Sequence, residues 1–314
     1  MSDALLRVTD LRRDYVLPRR ALFGAAPRLR VLHGVSLTLP EGGSLGIVGE
    51  SGCGKSTLAR TVLALERPHG GSVHLRGKDL FALSRAALRA ARRDVQAVFQ
   101  DPYGSLDPRH RIGRIVAEPI ASLEPATTAA ARRARVAEAL EAVGVPAAAM
   151  ARYPHEFSGG QRQRVAIARA LVTRPALIVA DEAVSALDVS VQAQVLNLMM
   201  DLRERLGLAW LFISHDLAVV RCITDRVAVM YLGRVVEEGP TAAVFDAPAH
   251  PYTRALVAAI PGARRRGVKA AEGPPAPDGC PFAPRCPDAV ARCRTEPPAL
   301  RPLADGRAAA CHLA

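Results

Sequence analysis

Residues 49–56 read Gly-Glu-Ser-Gly-Cys-Gly-Lys-Ser and fit the pattern G-x-x-x-x-G-K-[ST]. Each residue type there has a use in phosphate chemistry. Gly49, Gly52 and Gly54 let the backbone curl, so that successive N–H groups point inward at phosphate oxygens. A helix opening at Lys55 adds the positive end of its dipole. Lys55 supplies a point charge to the β- and γ-phosphates, and the Ser56 hydroxyl completes a magnesium shell. Glu50, Ser51, Cys53 and Thr57 complete the set expected to line the nucleotide. Cys53 reads as a small space-filler rather than a redox switch.

A second constellation follows at Ala176-Leu177-Ile178-Val179-Ala180-Asp181-Glu182. An apolar run of this kind reads as a central parallel strand, whose carboxyl end is where ligands bind in such sheets. Asp181 is placed to hold magnesium, directly or through water. Glu182, one residue on, points elsewhere and is the candidate base for an attacking water.

Those residues need a scaffold that alternates strands and helices. Apolar or alternating segments at Leu5–Leu11, Val35–Leu39, Ser44–Gly49, Ser72–Leu75 and Ala209–Ser214 predict strands, and Arg226–Leu232 with Val235–Glu238 a hairpin about Gly233. Helical patterns occupy Lys55–Leu65, Arg132–Val143, Gln161–Leu171 and Val191–Leu206, and the whole stretch from about Ser84 to Gly144 has helical spacing. Leu17–Arg30, basic and containing Pro and Gly, reads as an inserted loop. The sum is an α/β sheet with helices on both faces. After Pro261 a proline-rich tail begins, from which regular helix or strand is not expected.

Composition narrows the setting. The chain has 314 residues and a formal net charge of +12, but only three of its 42 basic residues are lysines and the arginines are spread along it. Solvated arginine faces account for such a charge, and nucleic acid is not an expected partner. No run approaches the ~18–20 apolar residues of a membrane span, and the N-terminus lacks an apolar signal core. A cytosolic chain is expected, one that meets a membrane only through partners. Four of six cysteines crowd the tail as Cys280-x5-Cys286-x6-Cys293-x17-Cys311. In a reducing compartment that clustering points to a metal or cluster site. Four thiolates can close a tetrahedral zinc site or ligate a [4Fe–4S] cluster, and the spacing alone names neither.

From about residue 5 to 261 the chain resembles the ATP-binding subunits of ABC transporters. Ser158-Gly159-Gly160-Gln161, followed by Arg162-Gln163-Arg164, is similar to the family signature, with Phe157 where leucine is usual. Glycines opening a helix leave N–H groups free as an anion site. Without a lysine of its own, that site makes sense closing over the γ-phosphate held by another subunit. A helix-capping role is the alternative for Ser158. The resemblance assigns Gln100 to magnesium and the attacking water, His215 to the γ-phosphate, and Asp188, in Ser185-Ala186-Leu187-Asp188, to the dimer seam. Tyr15 is the candidate for stacking on adenine. Ala183 stands where the family often has proline. The resemblance implies a P-loop NTPase core of the RecA-like type. An antiparallel β subdomain and a helical signature subdomain over about 101–168 would join it in an ATP-binding domain spanning 1–262, with a Cys-rich irregular region at 263–314.

Tyr153-Pro154-His155-Glu156-Phe157, Val184–Gln194, His250-Pro251-Tyr252-Thr253 and Gly279-Cys280-Pro281-Phe282 resemble the oligopeptide/dipeptide importer branch, and the 17–30 insertion its second ATPase subunit. The resemblance implies Mg-ATP as substrate and a non-identical sister ATPase as partner. It also implies two transmembrane permeases, an extracytoplasmic solute-binding protein reached indirectly, and a place on the cytoplasmic face of the cell membrane. It favours an iron–sulfur cluster on Cys280, Cys286, Cys293 and Cys311, with zinc or unliganded thiols as alternatives. Importers of nickel, glutathione or glycosides share these features, and a non-transport ABC ATPase acting on nucleic acid is the further rival.

Overall fold

The structure, a computed structural model, describes residues 4–18, 26–99, 101, 104–260 and 278–314. The chain opens with β1 (Leu6–Val16), β2 (Arg28–Leu39) and β3 (Ser44–Val48), then α1 (Lys55–Val62), β4 (Gly70–Leu75), β5 (Lys78–Asp79), α2 (Arg85–Ala91) and β6 (Val95–Phe99). Three helices follow, α3 (Ile112–Leu123), α4 (Ala129–Ala142) and α5 (Gly159–Leu171). Strands and helices then alternate through β7 (Leu177–Asp181), α6 (Val189–Leu206), β8 (Ala209–Ile213), α7 (Leu217–Ile223), β9 (Arg226–Tyr231) and β10 (Arg234–Pro240). The C-terminal part contains α8 (Thr241–Asp246), α9 (Pro251–Ala258), α10 (Ala291–Thr295), β11 (Arg301–Pro302) and β12 (Ala308–Ala309).

The larger sheet runs β11-β12-β10-β9-β3-β8-β7-β6. Its centre is parallel, with β3 lying between β8 and β9. Every residue of β3 and β8 is buried, as continuous apolar runs in a doubly covered sheet require. The smaller sheet, β2-β1-β4-β5, is antiparallel and packs its inward residues (Leu6, Val8, Leu11, Leu37, Val73) around α1. The opposite face of the larger sheet carries a second core. There α3, α4, α5 and α6 bury Ile115, Leu140, Ile167 and Val195, and the same core runs on into Tyr252, Phe282 and Cys293.

The alternation of strands and helices is as expected, and three local features differ. The expected 17–30 loop is shorter: β1 and β2 stay paired as far as Val16 and Arg28, and the Leu17 N–H donates to the Pro27 carbonyl at 2.8 Å. These ends are half-buried or exposed, so backbone pairing rather than apolar burial sets them, and alternation does not mark them. The stretch of helical spacing contains β6, which pairs with β7 from Val95 to Phe99; five residues of strand pattern are swamped by the Ala- and Arg-rich flanks. The tail is not wholly irregular. It holds α10, and β12 pairs with β10 at the edge of the larger sheet. The hairpin about Gly233 is present, with Leu232 and Gly233 both at positive φ as a tight β-turn between twisted strands needs.

Candidate functional site

Strand order places the chemistry. β3, β8 and β7 are neighbours whose carboxyl ends fall level, since Ile47 pairs with Ile213 and Ile213 with Asp181. The loop 49–54 leaves β3, Asp181 ends β7 and Glu182 follows it, and His215 lies two residues beyond β8. Gly49 turns at φ 152° with its Cα against the Met230 carbonyl, where a Cβ would sit 2.2 Å from that oxygen. Only glycine makes this turn without displacing β9.

Lys55, at the first turn of α1, is 6% exposed. Its Nζ donates to the carbonyls of Gly49 at 2.7 Å and Glu50 at 3.0 Å, with Cys53 Sγ at 3.8 Å. Among the described residues no carboxylate forms an ion pair with it. A buried ammonium held by two carbonyls and a thiol, with no carboxylate paired to it, is poised for an anionic ligand. The Ser56 hydroxyl lies 3.5 Å from Asp181 Oδ1. Burial raises the Asp181 pKa, opposed by that contact with Ser56. A half-buried carboxylate beside a hydroxyl suits a divalent cation, whose charge would offset the desolvation.

Glu182 has φ 51°, an uncommon conformation for a residue with a side chain. It is fixed by its N–H donating to the Ile213 carbonyl and by Ser185, whose N–H and hydroxyl both donate to the Glu182 carbonyl. The result aims the Glu182 carboxylate at His215, with Nδ1 to Oε1 at 3.2 Å.

The other expected residues stand apart from this group or outside the described residues. Gln100 lies outside them. Tyr15 donates to Glu66, its hydroxyl is 3.4 Å from Thr57 Oγ1, and the Arg13 guanidinium covers its ring at 4.8 Å. Ser158 caps α5 in a reciprocal pair: its Oγ accepts from the Gln161 N–H at 3.4 Å, and Gln161 Oε1 accepts from the Ser158 N–H at 3.0 Å. Capping therefore accounts locally for both Ser158 and Gln161. Gly160 is explained by packing, since a Cβ there would lie 2.3 Å from Val191 Cγ1 on α6. Asp188 caps α6, accepting from the Val191 N–H at 2.9 Å.

All six cysteines are free thiols. Cys280, Cys286, Cys293 and Cys311 line one small cavity, and Cys280 donates its N–H to the Cys293 carbonyl at 2.8 Å. Burial raises the Cys280 and Cys286 pKa values. Among the described residues, no group of three or more His, Cys, Asp or Glu is arranged to hold a metal ion. The expected metal centre is thus not supported beyond the gathering of the four thiols.

Two residues that sequence reasoning gave no role prove to grip the phosphate loop. Tyr252, 1% exposed, accepts the Glu50 N–H at 2.8 Å. Arg285 forms an ion pair with the Glu50 carboxylate. The HPYT motif marked Tyr252 in the sequence; nothing marked Arg285 among so many arginines.

Residues 32–185 match the family model described as ABC transporter, and 236–293 that described as oligopeptide/dipeptide transporter, C-terminal region. The chain is 52% identical over 321 residues to the probable peptide ABC transporter ATP-binding protein y4tS of Sinorhizobium fredii, covering 100% of this chain and 91% of that protein. It is 48% identical to the di/tripeptide transport ATP-binding protein DppF of Pseudomonas aeruginosa, covering 99% and 98%. Its fold resembles the dimeric post-hydrolysis structure of the ATP-binding cassette MJ0796 bound to ADP and Pi, with TM-score 0.64 and 29% identity over 75% of this chain and 98% of that one. Fold, site geometry and full-length similarity agree: the chain belongs to the ATP-binding subunits of ABC transporters, in the branch that carries the oligopeptide/dipeptide transporter C-terminal region.

Proposed function

We propose that the protein is the ATP-hydrolysing, energy-coupling subunit of a peptide importer. The observation that carries this is the convergence of Lys55, Ser56, Asp181, Glu182 and His215 at the carboxyl ends of three adjacent strands. The reading takes ATP phosphates on the 49–57 loop, with Lys55 on the β- and γ-phosphates. Magnesium is taken by Ser56 and Asp181, with Gln100 assigned by family likeness. Glu182 accepts the proton of the attacking water, and His215 steadies Glu182 and the γ-phosphate. Tyr15 carries the adenine. Catalysis of this kind is mostly positioning and charge stabilisation.

Ser158, Gly159, Gly160, Gln161 and Asp188 are assigned to the face that closes on a second ATPase subunit, non-identical to this one. The dimeric state reported for MJ0796 supports a paired arrangement. The names of the peptide and di/tripeptide relatives support peptides as the solute, and family likeness assigns transmembrane permeases as partners, with a solute-binding protein acting beyond them. No described helix is long and apolar enough to cross a membrane. Attachment to the cytoplasmic face is therefore assigned to the permeases. The division into an ATP-binding domain at 1–262, with its helical part at about 101–168, and a C-terminal region at 263–314 is part of the proposal.

Family likeness favours a [4Fe–4S] cluster on the four tail cysteines, with zinc or unliganded thiols as the alternatives; they line one cavity but are not drawn together as a ligand set. The cluster would be structural, cross-linking a segment with few elements of its own.

The decisive experiment is Lys55→Ala in the complex assembled with its permeases. Loss of both nucleotide affinity and turnover is expected, and unaltered affinity and turnover would overturn the assignment. Peptide uptake by the intact complex, against uptake of nickel or glycosides, tests the solute.

A further inference from the structure

The C-terminal segment reaches the phosphate loop. Arg285 closes the short turn Ala283–Arg285, between Cys280 and Cys286. Its two terminal nitrogens donate to the two Glu50 oxygens, both at 2.8 Å, and Nη1 also lies 3.4 Å from Tyr231 Oη. The guanidinium lies over the rings of Tyr231 and Phe282, 5.7 and 5.6 Å from their centroids. Those rings pack with Tyr252, whose hydroxyl accepts the Glu50 N–H.

Glu50 is therefore held twice by residues beyond 250, once by its amide and once by its carboxylate. The Glu50 carbonyl in turn accepts from Lys55 Nζ, so the gripped residue also helps to place the ammonium. The loop needs such support, because Gly49, Gly52 and Gly54 give it little stiffness of its own. An exposed ion pair alone would contribute little. This one is a two-bond fork, stacked on two rings and partly covered. It also neutralises a carboxylate that would otherwise stand unpaired in a loop meant for phosphates.

We propose that Arg285 is a positioning residue for nucleotide binding. Through Glu50 it pre-forms the phosphate loop and cancels its negative charge, so that the C-terminal segment sets the chain's affinity for nucleotide. The inference rests on reading residues 49–56 as the nucleotide site. Pre-forming the loop moves its ordering cost from binding to folding.

The test measures binding of a fluorescent ATP analogue with magnesium to the full chain. Arg285→Ala is expected to weaken affinity about five-fold, the change that ~1 kcal/mol makes, and Arg285→Lys less. In a Glu50→Gln background, whatever that change does by itself, Arg285→Ala should shift affinity by less than about two-fold, because the carboxylate it acts through is gone. A change that only loosened the fold would weaken binding equally in both backgrounds. Thermal unfolding of each variant checks the fold, and if Arg285→Ala does not fold, the Arg285→Lys series carries the comparison. The proposal is overturned if wild type binds and Arg285→Ala binds equally well, or if Arg285→Ala weakens binding as much in the Glu50→Gln background as in wild type. Should wild type itself fail to bind, the reading of residues 49–56 fails first and takes the inference with it.

Discussion

His215 Nδ1 lies 3.2 Å from Glu182 Oε1, joining the residues just beyond the ends of two neighbouring strands. The contact is held from the Glu182 side by a positive φ and by bonds to Ile213 and Ser185. Glu182→Gln keeps shape and polarity but cannot accept a proton. Nucleotide affinity should stay within about two-fold while phosphate release falls by ~100-fold or more. Wild-type turnover in this variant would remove Glu182 from the chemistry.

His215→Ala removes the partner and leaves the strained carboxylate unaimed. Hydrolysis should fall by roughly 10- to 100-fold with ADP affinity unaltered, read by phosphate release and by ADP titration. An equal loss of ADP affinity would indicate that the histidine shapes the pocket rather than the reaction.

Gly160→Ala drives a methyl group into Val191 across the α5–α6 contact. A loss of about 1–3 kcal/mol of stability is expected, measured by denaturant unfolding. Val191→Ala in the same chain should recover most of it. If stability returns but ATPase activity of the assembled complex does not, Gly160 serves the nucleotide as well as the packing.

Phe282, 2% exposed, joins the tail to Tyr231, Tyr252 and His250. Phe282→Ala should cost about 3–5 kcal/mol. Hydrogen exchange should quicken in residues 278–314 before it does in β3 or β8. Uniform quickening would mean that the tail and core open only together.

Protein purified without oxygen should contain iron and acid-labile sulfide in similar amounts, both lost in Cys293→Ser. Anaerobic protein free of iron would leave the four thiols a purely packed cluster.

The phosphate loop and the Asp181–Glu182 pair were legible in the sequence because their chemistry demands particular residues in unbroken runs. Strand β6 was not, since pairing with β7 rather than its own composition makes it a strand. The outer part of the β1–β2 ribbon, 12–16 with 28–34, escaped for the same reason. Capping of α5, the alternative the sequence offers for Ser158, is present, and its reciprocal partner Gln161 shows only in the fold. Arg285 and Glu50 stand 235 residues apart, and only the folded chain makes them neighbours.

The hairpin of β11 and β12 gives the larger sheet its outer margin, shielding the open side of β10 with strands of two residues each, one ending in Pro302. A margin so short, with proline in it, offers almost no ladder for a foreign strand to join. Shortening the chain to its ATP-binding part would strip away that guard and present bare β10 to other molecules. The tail thus covers part of an edge that would otherwise offer its backbone to another strand.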